Sequence, residues 1–553
     1  MSLSSKTNII SHEGCRLDFE KKHLRFLSDR PRLADDMRHI VLFLVYAALL
    51  LYFCSKNSPF FLYQTGSDVN LYMDVGRAVG KGAVLYRDVF EQKGPTLLLL
   101  FSILAKVTPG TMTGLYLFQS LTLGISLFYL FKTARLFLSE TASLWLCLIF
   151  PFFLLNYQAY QAGGGSPEEL ILPCYMGGMY FLIRFFLKIN GTDTSKNEIR
   201  TSRFFTQGFF AGIVLLVKIN LTAFFLVGCG MVFLYLLLHR QWRVFFKAAM
   251  WFLAGVFAAV LPCILYMAAT HSFNDFWSVY IKFNSLYASP ALNYENQSFP
   301  VAVVTAAFLN LPAVVCAGYG FFAIRTKVLH FSKYGELSYI LTCTGLVTMT
   351  YIAGRAYHYY SIPILCFTGI GAIGFILLWQ KYWRSGVPEP TFHSIHPFAV
   401  TGIIVGIIVC IILCNAQFFD SQYINPEKTG VEQISETVLS TWEQTGGKEN
   451  PNILLYDSGD LGFYELTGTY PEVRIFHMLH INVTAYPDLI NAQKNYISQG
   501  IPDYVICSGC DAPLPSDISD LNPAYKLIDQ QEQRIAGQKY SMTLYQKQDR
   551  MVP

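Results

Sequence analysis

The residues best suited to chemistry lie in one polar stretch, 65–95, TGSDVNLYMDVGRAVGKGAVLYRDVFEQKGP. It places Asp68, Asp74, Asp88, Glu91 and Lys93 between two strongly apolar runs. Charged groups beside a hydrocarbon core are costly and mark a place where something polar is handled. A connection that merely joined two spans would need only a few residues. Asp68 follows Gly66-Ser67 at the start of a stretch with helical spacing. Asp68, Tyr72 and Val75 share one face of it, and Leu71, Asp74 and Ala78 another. Such a position suits a helix cap, a general base, or both, because a helix start gives a carboxylate a fixed direction. Glu91 and Lys93 lie at a turn made by Gly94 and Pro95. They read either as an ion pair anchoring the loop or as the floor of a pocket in which Lys93 neutralises a phosphate.

Three other places put polar groups where apolar ones are expected. Glu168 and Glu169 end Gly163-Gly-Gly-Ser-Pro-Glu-Glu and open an apolar run, where acids also favour the amino end of a helix. Lys218 stands alone between two apolar runs and can snorkel to an interface. Arg355 and His358 are three apart in Gly354-Arg-Ala-Tyr-His-Tyr-Tyr, one helical turn, and the forked guanidinium suits a phosphate. His358 is either a further donor to that phosphate or a satisfied interfacial histidine. Aromatic residues near these positions (Tyr72, Tyr157, Tyr160, Phe276, Trp277, Tyr280, Tyr287) can stack on sugar rings or form an ordinary interfacial belt.

The elements that must position these groups are membrane helices. Of the 553 residues 53% are hydrophobic and only 14% charged, against about 25% charged in soluble domains. A net charge of +4 gives no footprint for nucleic acid. A span needs about 20 apolar residues. The runs 39–55, 111–131, 137–155, 170–187, 204–217, 220–238, 247–270, 301–324, 337–352, 358–379 and 397–416 qualify or nearly do; 94–107 is apolar but only about half that length, and the assignment of sides requires that it lie in the interface or re-enter rather than cross fully. Residues 1–38 form a basic arm, which the positive-inside rule keeps cytoplasmic. Basic clusters at Lys132/Arg135, Lys188–Arg203, His239–Lys247, Arg325–Lys333 and Lys381/Arg384 take the same side. Asp68, Glu91, Lys93, Glu168, Glu169, Lys218, Arg355 and His358 then converge on the opposite face.

After Ala416 the composition turns polar. Strands at 452–457, 502–507 and 541–546, with a helix at 485–499, predict a small α/β domain with a parallel sheet over 417–553. Cys507 and Cys510 are the one close cysteine pair in polar context, read as a disulfide or as two thiols at a strand end.

This order resembles the GT-C membrane glycosyltransferases, especially the protein O-mannosyltransferase and aminoarabinose-transferase branch. It runs from a cytoplasmic arm and one span, through an acidic first external loop closed by Lys93-Gly94-Pro95, to many further spans and an external α/β tail. Those enzymes carry an early Asp in the first external loop, matched by Asp68, and a Lys-Pro-Pro-like turn, here short of one proline. The resemblance implies a polytopic α-helical membrane protein of about 11–13 transmembrane helices. Its GT-C-like domain spans 39–416 with a catalytic loop at 56–94, and 417–553 is extracytoplasmic. It implies an inverting transfer of sugar from a polyprenyl-phosphate donor to an envelope glycan, lipid or protein, in a bacterial plasma membrane. Asp68 would be the base. Lys93, Lys218 and Arg355 would stabilise the leaving phosphate, with Tyr72, Glu91, Glu168, Glu169 and His358 shaping the substrate site. No cofactor or obligatory metal is expected. The alternatives are a transporter or lipid flippase, and an envelope-polysaccharide polymerase or ligase. The first wants ionisable groups at the midplane, whereas these acids lie in loops.

Overall fold

Each apolar run folds as helix, but the helices differ in reach. The computed structural model describes residues 33–155, 160, 163–189, 200–289, 292, 297–329, 331–383, 397–419, 427–446, 450–479, 481–510, 514–535 and 538–548. The amino-terminal arm lies outside these, apart from 33–38, which begin the first helix. Helices α1 (Leu33–Cys54), α2 (Ser67–Gly80), α3 (Pro95–Val107) and α4 (Thr113–Ala134) open the chain. Apolar helices continue to Pro397–Leu413. Among the described residues six are long and apolar enough to cross a membrane, or seven if one bent pair counts as a span. The run 301–324 is not one straight span. Phe299–Leu309 and Leu311–Arg325 meet at a 101° bend, because Pro312 at the start of the second cannot extend the first. The helices Pro95–Val107, Glu140–Leu155, Arg203–Leu215 and Phe398–Leu413 are apolar but short. At 1.5 Å per residue, α3 covers about 20 Å of a core about 30 Å thick.

Large apolar side chains point away from the protein where a lipid face is expected, as with Met250, Leu253 and Phe257 on Trp242–Thr270. Inward packing uses small residues. A Cβ added to Gly208 or Gly255 would fall within 2.0 Å of backbone on the facing helix, so Arg203–Leu215 and Trp242–Thr270 lie backbone to backbone.

The carboxyl-terminal domain has four strands: β1 (Ile453–Leu455), β2 (Tyr504–Cys510), β3 (Tyr525–Ile535) and β4 (Gln538–Lys547). Their order is β1-β2-β4-β3. Only β1 and β2 are parallel; β4 runs antiparallel to β2 and β3. The expected parallel sheet is therefore mixed, and β3 is an element the hydrophobic pattern did not announce. Cys507 and Cys510 lie on the single strand β2, opposite Thr543 and Tyr540. Cys507 is a buried free thiol, so the two are not joined.

This domain docks on the polar loop between α1 and α3. The capping box of helix Gly430–Gln444 is built on Thr429 and Glu432, and the Thr429 hydroxyl also meets the Tyr63 hydroxyl at 2.8 Å. Gln64 N donates to Glu465 Oε2 (3.2 Å) and Asn70 Nδ2 to the Asp460 carbonyl (3.3 Å). Asp74 and Asp460 are close enough across this seam to influence each other, and Arg77 Nη1 donates to Asp74 Oδ1 at 2.8 Å. Burial, then the neighbouring Asp460, raises the Asp74 carboxyl well above its usual range. Burial raises Asp460 too, and pushes Glu465 up to about 7 against the pull of Arg77.

A folded-state value above the unfolded one means stability that is present at low pH and lost as pH rises through the folded value. Melting of the detergent-solubilised protein is therefore expected to fall in temperature as pH rises through 7. Asp74→Asn, which keeps a neutral hydrogen-bonding group, should flatten part of that fall. A pH-independent wild type, or an unchanged slope in the variant, contradicts this reading of the seam.

Candidate active site

The Lys93-Gly94-Pro95 turn is joined to the chain just before Lys218 by main-chain bonds. Gly94 N donates to the Val217 carbonyl and Thr96 N to the Leu216 carbonyl, each at 3.1 Å. A Cβ on Gly94 would lie 1.9 Å from the Leu216 oxygen, so only glycine allows the approach. Pro95 starts α3 at a position whose N–H would be unpaired anyway. The seam thus brings two lysines from distant sequence to one place.

Each lysine has its own carboxylate. Lys93 Nζ is 3.9 Å from Glu91 Oε1, which also accepts from Lys93 N at 3.0 Å. Burial alone would push the Lys93 ammonium down, but Glu91 and Asp68 together hold it above its usual value. Burial raises fully enclosed Glu91 to about 7 although Lys93 pulls the other way. Lys218 Nζ meets Glu168 Oε1 at 2.6 Å and lies 3.5 Å from the centre of the Tyr360 ring. Burial, with help from Lys93, lowers Lys218 despite Glu168. The Lys93 ammonium is thus near enough to act on Lys218.

The adjacent acids Glu168 and Glu169 part company. Gly163, Gly164 and Gly165 all adopt positive φ, a path that suits glycine, and Ser166 caps the turn Pro167–Leu170. Glu168 is delivered to Lys218. Glu169 turns back and accepts from Gly165 N (2.7 Å), Gln119 Nε2 (2.9 Å) and the Tyr160 hydroxyl (3.1 Å). Burial lifts it to about 7. It anchors the glycine loop to α4, and its contacts are with that loop rather than with the lysines.

Asp68 does not cap α2. The cap position is Gly66, with no side-chain bond, and Asp68 lies within the first turn. Its Oδ2 accepts from the Tyr359 hydroxyl at 2.6 Å. Tyr72, one turn on, is fully buried and its ring lies 5.5 Å from Lys93 Nζ. Burial pushes its hydroxyl up, and Asp68, Glu91 and Glu168 add to that.

The helix Lys333–Tyr351 is capped at Ile352, and Gly354, at φ +68° with its N–H on the Tyr351 carbonyl (2.9 Å), turns the chain into Arg355, whose side chain is buried. Arg355 stacks on Tyr287 at 3.5 Å. Its Nη2 donates to the Tyr287 and Leu292 carbonyls, both at 3.2 Å. Its Nε and Nη1 are buried with no hydrogen-bond partner among the described residues. The π-helical turn Trp277–Phe283 sets Tyr287 there: Tyr280 donates to the Leu215 carbonyl (2.6 Å), and Asn284 to that of Gln92 (2.6 Å). His358 starts the 3₁₀ helix His358–Ile364, and its Nδ1 is buried without a hydrogen-bond partner among the described residues.

The structure therefore gathers Asp68, Tyr72, Glu91, Lys93, Glu168 and Lys218 into one electrostatic neighbourhood, with Tyr360 within reach of Lys93 and Arg355. Tyr359, Tyr360 and His477, which meets Glu91 at 3.8 Å, join it unannounced by any sequence signal beyond the run of tyrosines after His358. Of the aromatic candidates, Tyr160 serves Glu169 and Tyr287 serves Arg355, while Tyr157 lies outside the described residues. A separate apolar cleft of about 520 Å³, walled by Trp145, Phe153, Tyr319, Phe375 and Trp379, shares no residue with this cluster.

Residues 30–374 match the family model described as the putative competence-induced protein Ccs4 N-terminal domain. No curated protein sequence matches significantly. Among solved structures the chain is similar to ArnT from Cupriavidus metallidurans in the apo state, with TM-score 0.56, 12% identity, and 94% of this chain and 98% of that one covered. The Archaeoglobus fulgidus oligosaccharyltransferase in the apo form matches at TM-score 0.45 and 12% identity, over 85% of this chain and 69% of that one. The mycobacterial arabinofuranosyltransferase AftD matches at 0.45 and 11%, over 92% and 41%. The fold is that of the GT-C glycosyltransferases.

Gly94→Ala is expected to destabilise the protein by at least about 1–3 kcal/mol, the usual cost of forcing atoms into packed structure. Chemical denaturation in detergent measures it; a change near zero would mean the seam yields easily.

Proposed function

The chain belongs to the family of the putative competence-induced protein Ccs4 N-terminal domain, and we propose that this member is an inverting glycosyltransferase using a polyprenyl-phosphate-linked sugar. The acceptor is an envelope glycan, lipid or protein at the extracytoplasmic face of a bacterial plasma membrane. The observation that carries the reading is Arg355. Two of its guanidinium nitrogens are buried without a hydrogen-bond partner among the described residues, on the ring of Tyr287, which also acts on Lys93 and Lys218. A buried charged donor left unpaired is costly. A phosphate offers paired acceptors that fit the fork. The GT-C fold and the acidic loop beside these cations support the same conclusion.

The chemistry follows from where charge develops. As the bond from the sugar to the phosphate breaks, negative charge grows on the lipid phosphate. Lys93, Lys218 and Arg355 stabilise that charge, in surroundings where water screens little. Asp68 takes the proton of the attacking acceptor hydroxyl. Tyr359 fixes the direction of that carboxylate through the bond to Oδ2. One displacement on the face opposite the leaving phosphate inverts the anomeric centre. Glu168 and Glu91 keep the lysines charged and in place before the donor arrives.

The test is purified protein incubated with defined polyprenyl-phosphate sugars, following release of polyprenyl phosphate and the anomeric configuration of the product. Asp68→Asn should lower turnover by about 10²–10⁴-fold, and Tyr359→Phe by about tenfold, the worth of one buried hydrogen bond. Arg355→Ala should weaken donor binding, with Arg355→Lys restoring charge but not the fork. Unimpaired transfer by Asp68→Asn removes Asp68 as the base. Absence of release from every lipid-phosphate sugar, with lipid movement across vesicles instead, favours a flippase.

A further inference from the structure

Among the described residues the carboxyl-terminal domain reaches the site at Asn482, whose N–H donates to the Leu292 carbonyl beside Arg355 (3.3 Å), and, on the Lys93 side, at segment 474–478. On one side that segment is tied to its own domain: Leu455 N of β1 donates to the Phe476 carbonyl (3.0 Å) and Met478 N to that of Ser458 (3.0 Å). On the other side it grips the loop that ends in Lys93. Phe90 N donates to the Arg474 carbonyl at 3.0 Å. Arg474 Nη2 donates to the Tyr86 carbonyl at 3.1 Å, and its guanidinium lies 5.7 Å from the Phe90 ring centre. Tyr86 in turn donates to the Lys93 carbonyl at 2.8 Å. Between these holds, His477 Nε2 stands 3.8 Å from Glu91 Oε2, with both side chains almost wholly buried. Glu91 Oε2 has no hydrogen-bond partner among the described residues. The other oxygen of the same carboxylate holds the Lys93 main chain.

We propose that segment 474–478 is a strap by which the carboxyl-terminal domain sets the active-site loop, with His477 as a positioning residue that orients Glu91 and through it Lys93. The distance is beyond a hydrogen bond, so the ring acts on the carboxylate as a buried polar neighbour and a wall. The domain is then a working part of the site. This inference rests on the glycosyltransferase reading for its consequence, but not for its geometry.

The experiment uses the full-length protein in detergent, with hydrogen exchange read across 86–93 and across β1 and β2, and polyprenyl phosphate as the binding probe. His477→Ala should speed exchange across 86–93 about tenfold and weaken binding by a similar factor, the scale of one buried polar contact, while β1 and β2 stay protected. His477→Gln, which keeps a donor of similar reach, should restore most of both. Unchanged exchange across 86–93 in His477→Ala overturns the proposal, as does a failure of His477→Gln to restore protection while the domain stays docked. If His477→Ala instead exposes β1, the His477→Gln comparison decides alone. A wild type that does not bind polyprenyl phosphate sinks the donor reading, and the exchange result still judges the strap.

Discussion

The site depends on one main-chain contact. Gly94 lies against Leu216 so closely that no side chain fits between them, and the two bonds on either side of that contact fix the register. Lys93 comes just before the contact on one strand of chain and Lys218 just after it on the other. Their placement is therefore set by backbone geometry, which is stiff, rather than by their own flexible stems. Everything else arranges itself around two ammonium groups held in one neighbourhood. Glu91 and Glu168 neutralise one each, Tyr72 and Tyr360 offer ring faces, and Arg355 approaches over Tyr287.

Burying so many charges is poor engineering for stability alone. A buried ion pair seldom outperforms well-packed apolar side chains of the same volume. Here the charges are also incompletely matched inside the protein. Glu168 Oε2, Glu91 Oε2 and two nitrogens of Arg355 lack hydrogen-bond partners among the described residues. Glu169 shows what a carboxylate with a structural role looks like in the same environment: three donors within 3.1 Å and no lysine. The contrast between neighbours in sequence separates an anchoring acid from one kept for the site.

Much of this was legible because a membrane makes charges conspicuous. Lys218 and Arg355 stand out in apolar surroundings, and the loop 65–95 is too polar and too long to be a connector. The distinction between Glu168 and Glu169 was not legible, because it is made by the positive-φ path of three glycines. Nor were Tyr359 and Tyr360, since tyrosine at a membrane boundary is ordinary and only the fold selects the ones that meet Asp68 and Lys218. His477 lies in a polar tail where a lone histidine carries no signal. The strand β3 was missed for a related reason: Tyr525–Ile535 is largely solvent-facing, so its alternation is between polar residues. The 101° break at Asn310 was hidden by continuous hydrophobicity across Pro312. Apolar content measures affinity for lipid, whereas crossing it also requires straightness.

Helix α2 explains why two domains and one site share a single loop. Successive residues of a helix advance by 100°, so Asp68 and Asp74, six apart, project about 240° around the axis from one another. One face therefore carries Asp68 and Tyr72 toward Tyr359 and Lys93, while another carries Asp74 to Asp460 and Arg77 beside it. The helix is buried on nearly every side, although its composition is too polar for a membrane segment. A polar helix enclosed in this way must meet its charges locally, and it meets them in part, with the membrane domain on one side and the carboxyl-terminal domain on the other, while Asp74 Oδ2 and Arg77 Nη2 have no hydrogen-bond partner among the described residues. One helix thus carries both the carboxylate that Tyr359 holds near the cations and the carboxylate that meets the carboxyl-terminal domain, so the position of the first is set by the same element that the second ties down.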